Sequence, residues 1–74
     1  MKSLGIVGGF GFIGTNCTLR LKEAGYNVTV IDNFSFSDKK NIPLNVKYIE
    51  KGYENLTEHE LNFFDEIVFV ACSN

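Results

Sequence analysis

Three glycines and one aspartate carry the most specific chemical pattern in the chain. Gly8, Gly11 and Gly14 form G-x-x-G-x-x-G, and Asp32 follows Gly14 by 18 residues. An apolar run precedes the glycines and an amphipathic segment follows them. Each glycine has a physical task in such a turn. Gly8 lets the chain reverse sharply out of a strand. Gly11 removes a side chain where backbone must approach a pyrophosphate. Gly14 lets the following helix pack closely on a sheet. The helix start supplies free N–H groups and the positive end of its dipole. A carboxylate roughly 20 residues on is the group that accepts ribose hydroxyls. The chemistry these residues suit is dinucleotide binding.

The other reactive side chains form no comparable set. His59 stands between two glutamates in a short predicted helix, as a solvated residue does. Thr15, Ser35 and Ser37 have no base nearby in sequence. Cys17 and Cys72 form no C-x-x-C motif and read as reduced thiols of a cytoplasmic protein. Lys39 and Lys40 lie in a polar loop, where solvation is the ordinary role. The net charge of −2 argues against a nucleic-acid partner. No apolar stretch approaches a membrane span. The N-terminal apolar run is broken by glycines and lacks a cleavage site, so it does not read as a targeting segment.

The elements that must hold these residues follow from pattern. Residues 2–7 read as strand one and 12–24 as a helix. Ile13, Cys17, Leu21 and Ala24 form its expected buried stripe. Gly25 is its left-handed terminator. Residues 27–31 are rich in β-branched side chains and too apolar for one wet face, which suits a parallel sheet covered on both sides. Residues 32–40 are polar and turn-prone, and Pro43 ends that segment. Strand three spans 46–50. Thr57-x-x-Glu60 is a capping box that opens a short helix over 58–64. Strand four spans 67–72. Right-handed crossovers then give the order 3-2-1-4. The fold class is α/β: a truncated Rossmann fold, half of a doubly wound parallel sheet, with residues 1–74 as one half-domain. Most phenylalanines are expected in the core. Phe34 and Phe36, in the polar loop, are expected to cover an adenine or a partner.

Val7-Gly8-Gly9-Phe10-Gly11-Phe12-Ile13-Gly14, Gly25-Tyr26-Asn27-Val28 and Val30-Ile31-Asp32-Asn33-Phe34-Ser35 together resemble the N-terminal third of extended short-chain dehydrogenases/reductases. The nearest branch is the NAD-dependent nucleotide-sugar epimerases and dehydratases, of the UDP-glucose 4-epimerase type. The resemblance implies NAD as cofactor. It implies that Gly8, Gly11, Phe12, Ile13 and Gly14 bind the pyrophosphate. Asp32 would accept the adenosine ribose hydroxyls with Asn33 beside it, and Ser37 would reach the adenosine edge. Val70, Ala71 and Cys72 would line the nicotinamide-side ribose.

The sequence departs from that family in several places. Val7 replaces a usual threonine, and Phe10 a usual small residue. Gly52-Tyr53 stands where an acidic and an aliphatic residue usually flank the adenine, with Tyr53 able to stack on the ring. None of the tyrosines has a lysine four residues on, so the family's Tyr-x-x-x-Lys acid/base pair is missing. The resemblance therefore implies an NAD-binding portion that is not catalytic alone. The alternatives are a stand-alone module that binds NAD, ADP-ribose or a related nucleotide, and a non-binding module that oligomerises. Strand four is apolar, lacks proline and has no inward charge. The expected assembly is a homodimer through its edge.

Overall fold

Strand propensity and crossover handedness together set the architecture. The computed structural model describes residues 2–8, 12–34, 42–43 and 45–70, the side chains of Phe12 and Ile13 excepted. In chain order the elements are β1 (Ser3–Val7), α1 (Phe12–Glu23), β2 (Asn27–Ile31), β3 (Lys47–Ile49), a 3-10 turn (Tyr53–Asn55), α2 (Glu58–Phe63) and β4 (Glu66–Phe69). All strand pairs are parallel, and the order is β3-β2-β1-β4 as expected. Gly5 lies level with Thr29 on one side and Ile67 on the other. The outer strands are shorter than expected. Residues 71 and 72, assigned to strand four by sequence, lie outside the described residues.

The sheet is covered on both faces. One face carries Leu4, Ile6, Val28 and Val30, with Leu21 of α1, Phe34, Ile42, Val46, Val68 and Val70 packed around them. The other carries Ile31, Leu56 and Phe64, joined by Val7, Ile49, Leu61 and Ile67. The alternation of β1 decides this split, because successive side chains point to opposite faces. Gly5 shares a face with Val7 and leaves room for an aromatic ring. A Cβ there would stand 3.1 Å from Phe64 Cδ2 and 3.1 Å from Ile31 Cδ1.

The buried stripe of α1 differs from the expected one. Gly14 and Thr18 are buried and Leu21 is half-buried, whereas Ala24 is exposed. These three positions are four and three residues apart, one helical face. Small residues at 14 and 18 bring the helix close to the sheet, and Ala24 lies beyond the last helical residue as the chain leaves. Ile13's side chain is outside the described residues. Gly25 ends α1 with φ of 103°. Its N–H donates to the Lys22 carbonyl (3.0 Å) and that of Tyr26 to the Leu21 carbonyl (3.2 Å). This pair of bonds is a Schellman motif.

Polar groups close the amino ends of the strands. Asp65 Oδ2 accepts from the Ser3 N–H at 2.7 Å. Asn27 Nδ2 donates to Ser3 Oγ at 3.1 Å, and Lys47 Nζ donates to Asn27 Oδ1 at 2.9 Å. These links run from β4 across β1 and β2 to β3. The capping box forms as the sequence indicates: the Glu60 N–H donates to Thr57 Oγ1 (3.1 Å) and the Thr57 N–H to Glu60 Oε1 (2.9 Å). Lys51 Nζ also reaches the Glu60 carboxylate, at 3.0 and 3.2 Å, and ties the loop after β3 to α2.

Candidate functional site

The candidate site lies along the carboxyl ends of the strands, where open parallel sheets bind ligands. β1 ends there, so the helix that returns from it must start there. Gly8 leaves β1 with φ of 79°, in the left-handed region, and its N–H donates to the Ile31 carbonyl at 2.8 Å. That bond carries the β1–β2 ladder one residue past the strand. α1 opens at Phe12, so Phe12 and Ile13 occupy its first turn at the same rim, and Gly14 is buried. The N–H groups of a helix's first turn suit an anion. Gly11 lies outside the described residues.

Asp32 is the next residue after β2, one strand over from Gly8, a spacing of ~4.8 Å between neighbouring strands. Its N–H donates to the Ile49 carbonyl at 3.1 Å, extending the β2–β3 ladder. The side chain is buried, and Oδ1 accepts from the Phe34 N–H at 2.7 Å. An aspartate bonding two residues on stabilises a tight turn. Phe34 completes it at φ of 62°. This turn returns the half-buried Phe34 ring to the sheet core, edge-on to Tyr48 with centroids 5.8 Å apart. Asn33 is exposed beside Asp32. Ser37 and Phe36 lie outside the described residues.

The far sides of the rim are built by the loop after β3 and the end of β4. Tyr53 is 41% exposed, and its ring has a partner, Phe69, in an edge-to-face contact at 4.8 Å. Phe69 is itself 54% exposed and Phe63 58%, so these two phenylalanines are not core residues. Val70 is half-buried, with its N–H donating to the Val7 carbonyl at 3.0 Å. Ala71 and Cys72 lie outside the described residues.

Glu54 is a residue of the loop after β3 whose placement motif spacing did not indicate. A Cβ built on Gly52 would fall on the Glu54 carboxylate, with Cδ at 2.9 Å and Oε2 at 3.0 Å. The signal available in sequence was a glycine followed two residues later by a glutamate. Elsewhere at this rim, Glu60 is held below its ordinary carboxylate pKa, first by the Thr57 N–H and then by Lys51. Among the described residues no cluster of His, Cys, Asp or Glu could hold a metal ion. No described helix is long and apolar enough to cross a membrane.

The rim thus combines a left-handed glycine, a helix start and a carboxylate on neighbouring strand ends. The model of the NAD dependent epimerase/dehydratase family matches residues 4–71. The chain belongs to that family. UDP-glucose 4-epimerase of Corynebacterium glutamicum is 34% identical over 97% of this chain, which spans 22% of that relative. The structure of the Thermotoga maritima UDP-glucose 4-epimerase with UDP-glucose superposes with a TM-score of 0.81 and 28% identity, over 96% of this chain and 24% of that one. The Thermus thermophilus UDP-glucose 4-epimerase in complex with NAD gives a TM-score of 0.78 and 25% identity, over 96% of this chain and 24% of that one. This family member therefore spans about a quarter of the length of these relatives. Its described part is the parallel α/β portion that opens their fold.

Proposed function

We propose that this chain is the NAD(H)-binding N-terminal portion of a nucleotide-sugar epimerase/dehydratase-like protein and is not catalytic alone. The observation that carries the reading is the placement of Gly8 at φ of 79° beside Asp32, at the rim where α1 begins. The backbone around Gly8, the first turn of α1 and Gly14 hold the pyrophosphate. Asp32 holds the adenosine ribose. When bound, NAD supplies a hydride acceptor and donor. The residues of this chain bind and orient it, and the proton-transfer groups come from outside the sequence, which has no Tyr-x-x-x-Lys. The whole protein acts on nucleotide sugars in the cytoplasm.

Calorimetric titration with NAD and with NADP tests the reading. NAD binds in preference, because the Asp32 carboxylate accepts ribose hydroxyls and repels a 2′-phosphate. Asp32→Ala weakens NAD and narrows the difference. Equal or tighter binding of NADP by the native chain removes Asp32 from this role. No binding of either dinucleotide overturns the proposal. Nucleotide-sugar conversion by the purified chain with added NAD overturns the non-catalytic part.

Assembly follows from β4. Among the described residues no strand pairs with its outer edge, and Phe69 is exposed on it. Two copies joined through β4 extend the sheet and cover that ring. Sedimentation over a concentration series reads this directly, and a monomer at high micromolar concentration contradicts it.

A further inference from the structure

The carbonyl of Ile49, at the end of β3, accepts two backbone hydrogen bonds. The Asp32 N–H reaches it at 3.1 Å and the Lys51 N–H at 3.0 Å. A carbonyl oxygen has two lone pairs, so both bonds hold at once. The first continues the β2–β3 ladder. The second spans two residues, the pattern of a γ-turn, and folds the chain as it leaves β3. Asp32 is therefore set against the same atom that anchors this turn. The Lys51 side chain closes the turn from outside: its Nζ meets both Glu60 carboxylate oxygens, at 3.0 and 3.2 Å. Glu60 is fixed in its turn. Its Oε1 also accepts from the Thr57 N–H at 2.9 Å, and its own N–H donates to Thr57 Oγ1 at 3.1 Å. Leu56 and Phe64, which flank α2, are buried with Ile31, the residue before Asp32. The clamp thus begins and ends at the carboxyl end of β2.

We infer that Lys51, held by Glu60, is a positioning residue for the Asp32 carboxylate: it fixes the Ile49 carbonyl against which the Asp32 backbone is set. Lys51 acts without touching the ligand, since its ammonium is engaged by Glu60. Hydrogen bonds weaken steeply with misalignment, so a carboxylate that must meet ribose hydroxyls depends on its direction. Asp32 Oδ1 already accepts from the Phe34 N–H at 2.7 Å, which makes the side chain follow its own backbone. Without the Lys51 ammonium, the turn after β3 loosens, and the Ile49 carbonyl and Asp32 loosen with it. The capping box uses no atom of Lys51, so α2 stays formed. The inference rests on the dinucleotide reading above and adds the residue that aims its carboxylate.

The test is made on the full chain with Lys51→Met, which keeps an apolar stem and removes the charge. Amide hydrogen exchange followed by NMR reads the backbone. The Asp32 amide exchanges faster in the variant, while the Gly8 amide, bonded to the Ile31 carbonyl on the other side of β2, keeps its native rate. Calorimetry with NAD and with NADP reads the site. The preference for NAD narrows about two- to fivefold, the scale of a half-buried surface ion pair. Lys51→Arg keeps both the exchange rate and the preference. In an Asp32→Ala background, Lys51→Met narrows the preference no further, which a general loss of structure would not reproduce. A native preference in Lys51→Met, or an Asp32 amide that exchanges at the native rate, overturns the inference and leaves the dinucleotide reading standing. So does an equal narrowing in the Asp32→Ala background, or faster exchange of Gly8 and Asp32 alike. Failure of the native chain to bind either dinucleotide overturns both.

Discussion

Replacing Gly5 by valine sets two physical effects against each other in the middle of β1. Local preference favours the change. Valine suits a strand better than glycine, on a scale spanning ~1 kcal/mol. Removing a glycine also restricts the unfolded chain, worth about 0.4–1 kcal/mol where the native conformation allows it. Packing opposes it. The first added carbon already stands 3.1 Å from Phe64 Cδ2, 3.2 Å from Phe64 Cγ and 3.1 Å from Ile31 Cδ1. Both neighbours are buried, Ile31 fully and Phe64 to 8% exposure, so neither ring nor methyl can swing into solvent. Two further methyls must enter that space. Overpacking of this kind costs about 1–3 kcal/mol, and displacing Phe64 loosens the seat of α2 on the sheet, so the expected net effect is destabilising. Urea denaturation followed by circular dichroism measures it as a lower midpoint at unchanged slope. Phe64→Leu destabilises by itself, yet in the double variant it relieves part of the Gly5→Val loss. The expected coupling lies within about 0.5–3 kcal/mol, the range for residues in contact. A Gly5→Val chain as stable as the native one, or two changes that simply add, would refute the packing argument.

Other outcomes follow from local geometry. Gly25→Ala costs about 1–2 kcal/mol, although no atom lies within 4 Å of the new Cβ, because φ of 103° disfavours any side chain; a thermal melt reads it. Thr57→Ala removes the helix cap and costs about 1 kcal/mol, seen as a loss of α2 helicity and a lower urea midpoint. Glu60 titrates below its ordinary value of 4.5, so its contribution to stability is present above that pH and is lost as pH falls through the lower folded value. Glu60→Gln keeps the capping geometry but flattens the acid limb of stability against pH, and an unchanged acid limb rejects that assignment. Asp32→Asn keeps an acceptor for the Phe34 N–H and preserves the turn, while narrowing the preference for NAD over NADP in competition binding.

Much of the fold was readable from local chemistry. The β-branched run of residues 27–31 gave β2 its bounds, because no competing signal lies within it. The glycine turn and Gly25 bracketed α1, and Thr57 with Glu60 marked the start of α2. Crossover handedness then fixed the strand order. What escaped depends on contacts between distant residues. Thr18 is buried in place of Ala24 because the sheet sets how α1 rotates, which helical periodicity alone does not determine. Phe34 looked like a loop residue, yet Asp32 bends the chain so that its ring returns to the core. Gly5 carried no signal of its role in the sequence, since its space is filled by a ring from 59 residues further along. Of the site, Gly8 and Asp32 were legible by spacing. The closeness of the Glu54 carboxylate to Gly52 was not legible, because only three-dimensional proximity shows it.

The polar links from Asp65 to Ser3, Ser3 to Asn27 and Asn27 to Lys47 all sit at the end of the sheet opposite the ligand rim. This arrangement separates the part of the domain that holds the strands in place from the part that presents turns and the helix start. The seam fixes strand neighbours and register without using any residue at the carboxyl ends. Side chains in the turns there can be replaced while the strands stay aligned. Changes in those turns therefore act on what the rim presents and leave the strand frame in place. Substitutions at Ser3, Asn27 or Lys47 carry the opposite consequence: they alter the frame that every rim residue is measured against.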